Sequence, residues 1–307
     1  TYSGFALNRW FKALKAPMAR PGGGFYNDER PLDMASKALE IAKQISPLPK
    51  AVADIQYEVE NFPYQLLKKS KTAMAAECAL ALAVGCNGIA FNFFGIGDAD
   101  YAHNIPGISA HRKFWEAIVC GSAGLPEAGL WPVWSIDSMA KRRLAGNESW
   151  LGWASGYGCP SELMVELGLP FSSVQSGCGS ILCGRQSEAF SDRELREIFK
   201  GGVLMDSAAL EVLEKRGLGS LAGVRMGRRY DNGLIERLTS DQLNSGYAGL
   251  TRDVRIEFWG DAMGKGDILE PIGKGVRVLG QAEDFFGKPK GACITAYENR
   301  LGGRVVV

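Results

Sequence analysis

The segment running from Ala53 to Tyr64, together with the thirty residues downstream of it, constrains this chain more than any other stretch. Asp54 to Val59 has the composition of a short strand. It leads into two carboxylates, Glu58 and Glu60, and is stopped by Asn61-Phe62-Pro63. Side chains on a strand alternate in direction, so Glu58 and Glu60 point to the same side. Lys71 to Val84 is an alanine-rich helical run that Gly85 closes as a C-terminal cap. A second apolar strand, Gly88 to Phe94, comes directly after it. Strand, helix and strand in that order make a βαβ unit, whose two strands are parallel and buried beneath helices. Function in such units gathers at the carboxyl ends of the strands, where Glu58, Glu60 and Asn92 lie. Two glutamates on an isolated strand would be as readily a solvated edge; the parallel context favours a cleft.

Composition narrows the class. With 307 residues, 46% of them hydrophobic, 22% charged, and a net charge of +1, the chain reads as ordinary soluble globular protein of two or three domains. No apolar run reaches the roughly eighteen residues of a membrane span, and the first residues lack the basic-then-apolar layout of a signal peptide. The compartment stays open: cytoplasm, or periplasm and exterior if an export signal lies upstream. A balanced charge without a basic stripe gives no footprint for nucleic acid. The seven cysteines include no CxxC pair and read as mostly buried free thiols rather than a disulfide framework. His103 and His111 are too few for a three-histidine metal site, so neither a metal nor another cofactor is expected.

Taken in order, Leu7, Trp10, Phe11 and Leu14 stand at helical spacing and predict an opening helix with an apolar face. The loop Pro21 to Asp28 carries three glycines that permit close backbone approach. Arg20, Tyr26, Asn27 and Asp28 offer polar contacts there, to a sugar or another polar ligand, with a plain turn as the alternative. Pro31 to Ile45 predicts an amphipathic helix. After the βαβ unit, residues 95–109 read as a Gly- and Asp-rich loop, and His111 to Cys120 as a helix with Phe114, Trp115 and Ile118 on one face. Trp131, Trp134, Trp150 and Trp153 gather in a Gly/Pro-punctuated segment, more readily a domain junction than a sugar platform.

From Ser161 the pattern becomes a second α/β unit: a helix over 162–167, a strand over 180–183, a Ser191-Asp-Arg-Glu194 capping box opening a helix, a strand over 203–205 and a helix over 207–216. Ser176-Gly-Cys-Gly-Ser180 resembles a nucleophile elbow only faintly and reads as a turn, since no histidine lies beyond it. Beyond Tyr230, strand-like runs at 255–259, 276–279, 292–297 and 304–307 predict a β module. The last run reads as a strand cut short.

A strand-end glutamate in half a barrel, then an α/β domain and a β module, resembles the retaining glycoside hydrolases of clan A. The layout is most similar to the family 42 β-galactosidases. There a nucleophile ends the seventh strand in a stretch like Val59-Glu60-Asn61-Phe62-Pro63, and Gly85-Cys86-Asn87-Gly88 resembles the entry to strand eight. The resemblance implies an α/β fold: the C-terminal part of a (β/α)8 TIM barrel over residues 1–120 and a Trp-rich connection over 121–160. Beyond these it implies a flavodoxin-like trimerisation domain over 161–230 and a truncated β-rich region over 231–307.

It implies Glu60 as nucleophile, with Glu58 supporting it or standing as the alternative. Arg20, Tyr26, Asp28, Asn61 and Asn92 become substrate-binding candidates. The reaction needs a second carboxyl group about 5–5.5 Å from the first. In the family that acid/base glutamate ends strand four, upstream of Thr1, so the sequence reads as the C-terminal part of a longer polypeptide. The expected partners are a carbohydrate substrate and further copies of the chain, trimeric by resemblance, or the missing part of the barrel. The competing reading is a catalytically silent carbohydrate-binding or oligomerisation protein.

Overall fold

Apolar periodicity near the start becomes α1 (Leu7–Leu14) in a computed structural model that describes residues 7–22, 28–29, 33–62, 68–92, 98–141, 168–230, 234–253 and 266–307. These residues belong to two units, one drawn from 1–132 and 159–176 and the other from 133–158 and 177–307. The face of α1 that should seek a partner is open, with Trp10 55% and Leu14 60% exposed.

In the first unit β1 (Met18–Ala19), α2 (Asp33–Ile45), β2 (Asp54–Glu60), α3 (Lys71–Ala83) and β3 (Gly88–Asn92) build a parallel sheet of order β1-β2-β3. Local chemistry sets the crossover between β2 and β3. Ser70 caps α3 by accepting from the Ala73 amide. At the other end Gly85, at φ 113°, passes its amide to Leu82 O while Cys86 N–H reaches Ala81 O, the paired bonds of a Schellman stop. Asn87 then pins the foot of β2, accepting from Ile55 N–H and donating to Ala53 O. Tyr57 and Val59 of β2 are fully buried against Ile41, Met74, Cys78 and Leu82 from the helices.

The stretch expected as a loop holds α4 (Asp98–Ser109), despite Pro106 within it. Glycine, proline and Asp/Asn content argued against a helix there, but packing on α3, with Ile108 against the core, overrides local preference. Next comes α5 (Arg112–Ser122), with Trp115 Nε1–H donating to Ala75 O, and then β4 (Trp131–Pro132), whose Trp131 is buried.

The second unit contains α6 (Ser138–Lys141), β5 (Ser180–Leu182), α7 (Asp192–Ile198), β6 (Val203–Met205) and α8 (Ser207–Lys215). After these come β7 (Val224–Tyr230), β8 (Ile235–Leu238), β9 (Thr251–Asp253), β10 (Gly266–Pro271), β11 (Arg277–Glu283), β12 (Pro289–Glu298) and β13 (Arg304–Val306). The reciprocal capping box of Ser191 and Glu194 is present at α7. Gly177 and Gly179, with φ of 84° and 125°, make the turn around Cys178.

One sheet runs through this unit in the order β5-β6-β13-β12-β11-β8-β9, with β10 joining β12 to β7. β13 pairs in parallel with β6 and antiparallel with β12, so the α/β segment and the β-rich segment share a sheet rather than forming separate layers. The junction is tight. Asn299 donates to Phe199 O and accepts from Leu301 and Gly303 amides, and a Cβ on Gly303 would collide with Phe199 O. The helix expected over 162–167, the strand over 255–259, Phe94, Trp150 and Trp153 lie outside the described residues.

Candidate functional site

The alternation of β2 sorts its side chains. Tyr57 and Val59 face the helices, leaving Gln56, Glu58 and Glu60 half-buried on the other face of the sheet. Parallel register sets Ala90 opposite Glu58 and Asn92 opposite Glu60. Asn92 Nδ2–H donates to Glu60 Oε1 at 3.0 Å, fixing one oxygen of the carboxylate. Arg20, just past β1, holds its Nη1 3.5 Å from Glu58 Oε1 and is itself half-exposed. Two carboxylates, an amide and a guanidinium thus meet at the carboxyl ends of three parallel strands. The set can bind a hydroxylated ligand, and a carboxylate held by an amide donor is a competent nucleophile.

Of the other expected ligand contacts, Asp28 lies at the start of α3. A hydrogen bond with the Ser70 side chain, opposed by burial and helped by Lys69, holds its carboxyl below the usual carboxylate range. Asn61, immediately after β2, is buried. Tyr26, with Pro63 and Tyr64, lies outside the described residues.

A buried ionic group behind the strand was not anticipated. Glu77 of α3, only 2% exposed, accepts from the Tyr57 hydroxyl and from Lys69 Nζ at 2.6 Å. Lys37 of α2 approaches the same carboxylate at 3.8 Å and lies 5.0 Å from the centre of the Tyr57 ring. Burial raises the Glu77 carboxyl, with Lys69 opposing, and drives the Tyr57 phenol far up with help from Glu77. Burial also pushes the Lys37 ammonium down to about 8, while Glu77, Glu60 and Glu58 pull it back up. The field of Lys37 therefore reaches both strand-end carboxylates. The only sequence signal for this group is a lone glutamate in the apolar run Ala75-Ala76-Glu77-Cys78. A charge on an alanine-rich helix is ordinarily solvated, so the signal is slight.

Neither a family model nor a curated protein matches the sequence. Among solved structures the chain is similar to α-L-fucosidase isoenzyme 2 from Paenibacillus thiaminolyticus. That alignment covers 99% of this chain and 47% of the fucosidase, at 14% identity and a TM-score of 0.56. Exo-β-1,4-mannosidase Op5Man5 from Opitutaceae bacterium strain TAV5 aligns over 91% of this chain and 51% of its own, at 13% identity and a TM-score of 0.46. The chain spans about half the length of the solved structures it matches. Its mixed α/β architecture is one that a solved glycoside hydrolase shares.

Proposed function

We propose that this chain is the nucleophile-bearing part of a retaining glycoside hydrolase, β-galactosidase-like in its chemistry, with β1, β2 and β3 forming the C-terminal part of a (β/α)8 barrel. Glu60 attacks the anomeric carbon and Glu58, steered by Arg20, orients it or contacts the sugar. Arg20 and Asn92 bind substrate hydroxyls, with Tyr26, Asp28 and Asn61 as further ligand contacts. The acid/base carboxyl comes from outside residues 1–307. The second unit, carrying the flavodoxin-like and β-rich segments, serves assembly. The observation that carries this reading is Glu60 at the carboxyl end of the middle parallel strand, half-buried and held by Asn92.

Double displacement gives each group a task. The Asn92 amide holds one oxygen of Glu60 and leaves the second to form the glycosyl ester. The test is Glu60→Gln in the complete, active protein. Turnover of a nitrophenyl galactoside should fall about a thousandfold or more while sugar binding persists. A variant that keeps its turnover removes Glu60 from the mechanism. Efficient hydrolysis by residues 1–307 alone would overturn the assignment of the acid/base group to another segment.

A further inference from the structure

The second unit carries a hole and a knob of matching chemistry that do not meet within one copy of the chain. The hole is a cavity of about 270 Å³ that opens where the carboxyl end of β6 and the start of α8 approach β8, β10 and β12. Leu234, Ile235, Leu269, Ala282 and Ile294 make much of its wall aliphatic. Its carboxylates are already occupied. Asp206 accepts from the Gly184 and Ala209 amides, Asp267 from Arg229 Nε and the Ser207 hydroxyl, and Glu236 from Arg252 Nε. The other Glu236 oxygen lies against Gly280, where a Cβ would come within 3.0 Å of it. A polar ligand therefore finds few open partners here, whereas an apolar group sheds water and gains aliphatic contacts. An aliphatic cavity of about 150 Å³ already holds benzene, so a phenyl ring fits this one.

The knob is Phe286, in the turn between β11 and β12. It is 96% exposed, beside a half-exposed Phe285. Local hydrogen bonds hold the turn in one shape. Asp284 Oδ1 accepts from the Phe286 amide at 3.0 Å and from the Lys288 amide at 2.9 Å, and Gly287 N–H donates to Asp284 O at 2.9 Å. Lys290 Nζ lies 2.8 Å from Asp284 Oδ2. A turn fixed in this way presents its ring without the cost of ordering a loop.

Charge and topology identify the occupant. Around the cavity Arg252 neutralises Glu236 and Arg229 neutralises Asp267, which leaves Asp206, exposed and held by amides. On the turn Lys290 neutralises Asp284, which leaves Lys288, also exposed. The hole thus carries negative charge and the base of the knob positive charge. Both stand on one hairpin: Ala282 and Ile294 line the cavity, and Phe286 follows Ala282 by four residues, about 13 Å of extended chain. With the two so close together, a second copy related by a two-fold axis can seat its Phe286 in this cavity while offering its own cavity in return.

We propose that the second unit dimerises by reciprocal insertion of Phe286 into the cavity of a second copy, with Lys288 beside the partner's Asp206. The inference rests on the assembly role proposed for this unit and uses neither Glu60 nor the first unit. Two side chains and their rims make a small interface, so the contact is weak and is read at about 0.5 mM chain. The test is methyl NMR on the whole chain, mixing a copy that carries ¹³C-methyl isoleucine and leucine with an unlabelled copy. Isotope-filtered NOEs should join the Phe286 ring of the unlabelled copy to the Ile235, Leu269 and Ile294 methyls of the labelled one. Phe286→Ala, at an exposed position that leaves the fold intact, should remove them. Shifts of the same methyls on dilution should then report an association weakened about tenfold or more. Ile235→Trp, at a half-buried wall position, fills the cavity and should act likewise, and mixing the two variants should restore one of the two contacts. Lys288→Glu should weaken the contact severalfold. Absence of these NOEs, or NOEs that survive Phe286→Ala, overturns the proposal. So does partition of the chain onto phosphatidylglycerol vesicles through Phe286 in place of the NOEs. Self-association in sedimentation without these NOEs keeps the assembly role and strikes this contact.

Discussion

At the scale of single residues, the site combines positions that period-two alternation sets together with others that only packing can join. Glu58 and Glu60 share a face because they are two apart on one strand, and Asn92 reaches Glu60 because the parallel register puts it opposite. Lys37, Lys69 and Glu77 come from α2, from the turn before α3 and from α3 itself, so no spacing in the sequence links them. Lys37 yields a direct test. Its pKa falls from an ordinary 10.5 to about 8 on folding. Between those values the unfolded chain holds a proton that the folded chain has released, so stability rises with pH across that window. Below about 8 both states are protonated and the full burial cost, about 3 kcal/mol, weighs against the fold. Lys37→Met should remove this rise. Urea unfolding at pH 7.5 and pH 10 should show wild type gaining on the variant by about 2–3 kcal/mol between the two values. A difference that does not move with pH overturns the account.

At the scale of elements, the sequence is legible where the determinants are local. The Ser191–Glu194 box, the Gly85 stop and the β2-α3-β3 alternation arise from residues within a few positions of each other. α4 was illegible because packing on α3 outweighs a Pro-, Asp- and Asn-containing composition. The place of β13 was illegible for a different reason, since nothing in Arg304-Val-Val says that it lies between β6 and β12, far apart in sequence. What permits that placement is Gly303, which passes against Phe199 O and Gly201 O where no side chain fits. Gly303→Ala should therefore cost more than about 3 kcal/mol, in the range reserved for core disruption. Ser191→Ala should cost about 1 kcal/mol, the worth of one cap. Chemical denaturation of the two variants side by side checks the contrast, and equal, small losses would remove the special role given to the β13 junction.

At the scale of the whole molecule, the three-stranded parallel sheet poses a problem of completion. Purely parallel sheets are stable when covered on both faces and closed at their edges. Among the described residues, α2 and α3 cover one face, neither β1 nor β3 carries a further strand, and Glu58 and Glu60 occupy the uncovered face. Trp10, Leu14, Met18, Phe62 and Phe114 of the first unit are each about half-exposed or more. No helix among the described residues is long and apolar enough to cross a membrane.

Open strand edges beside exposed apolar side chains favour association, either with further copies of this chain or, on the half-barrel proposal, with a polypeptide that supplies further strands. Sedimentation velocity on residues 1–307 should therefore show species of at least twice 33.2 kDa at tens of micromolar, dissociating on dilution. Because the contact is apolar and made by backbone edges, raising salt from 0.1 to 1 M should not break it, as it would an ion-paired interface. Adding a polypeptide that carries the missing strands should replace the self-association with a one-to-one complex, and nitrophenyl glycoside turnover should appear with it. A monomer that persists at high concentration and ignores such a polypeptide would show that the sheet needs no completion, and the half-barrel proposal would go with it.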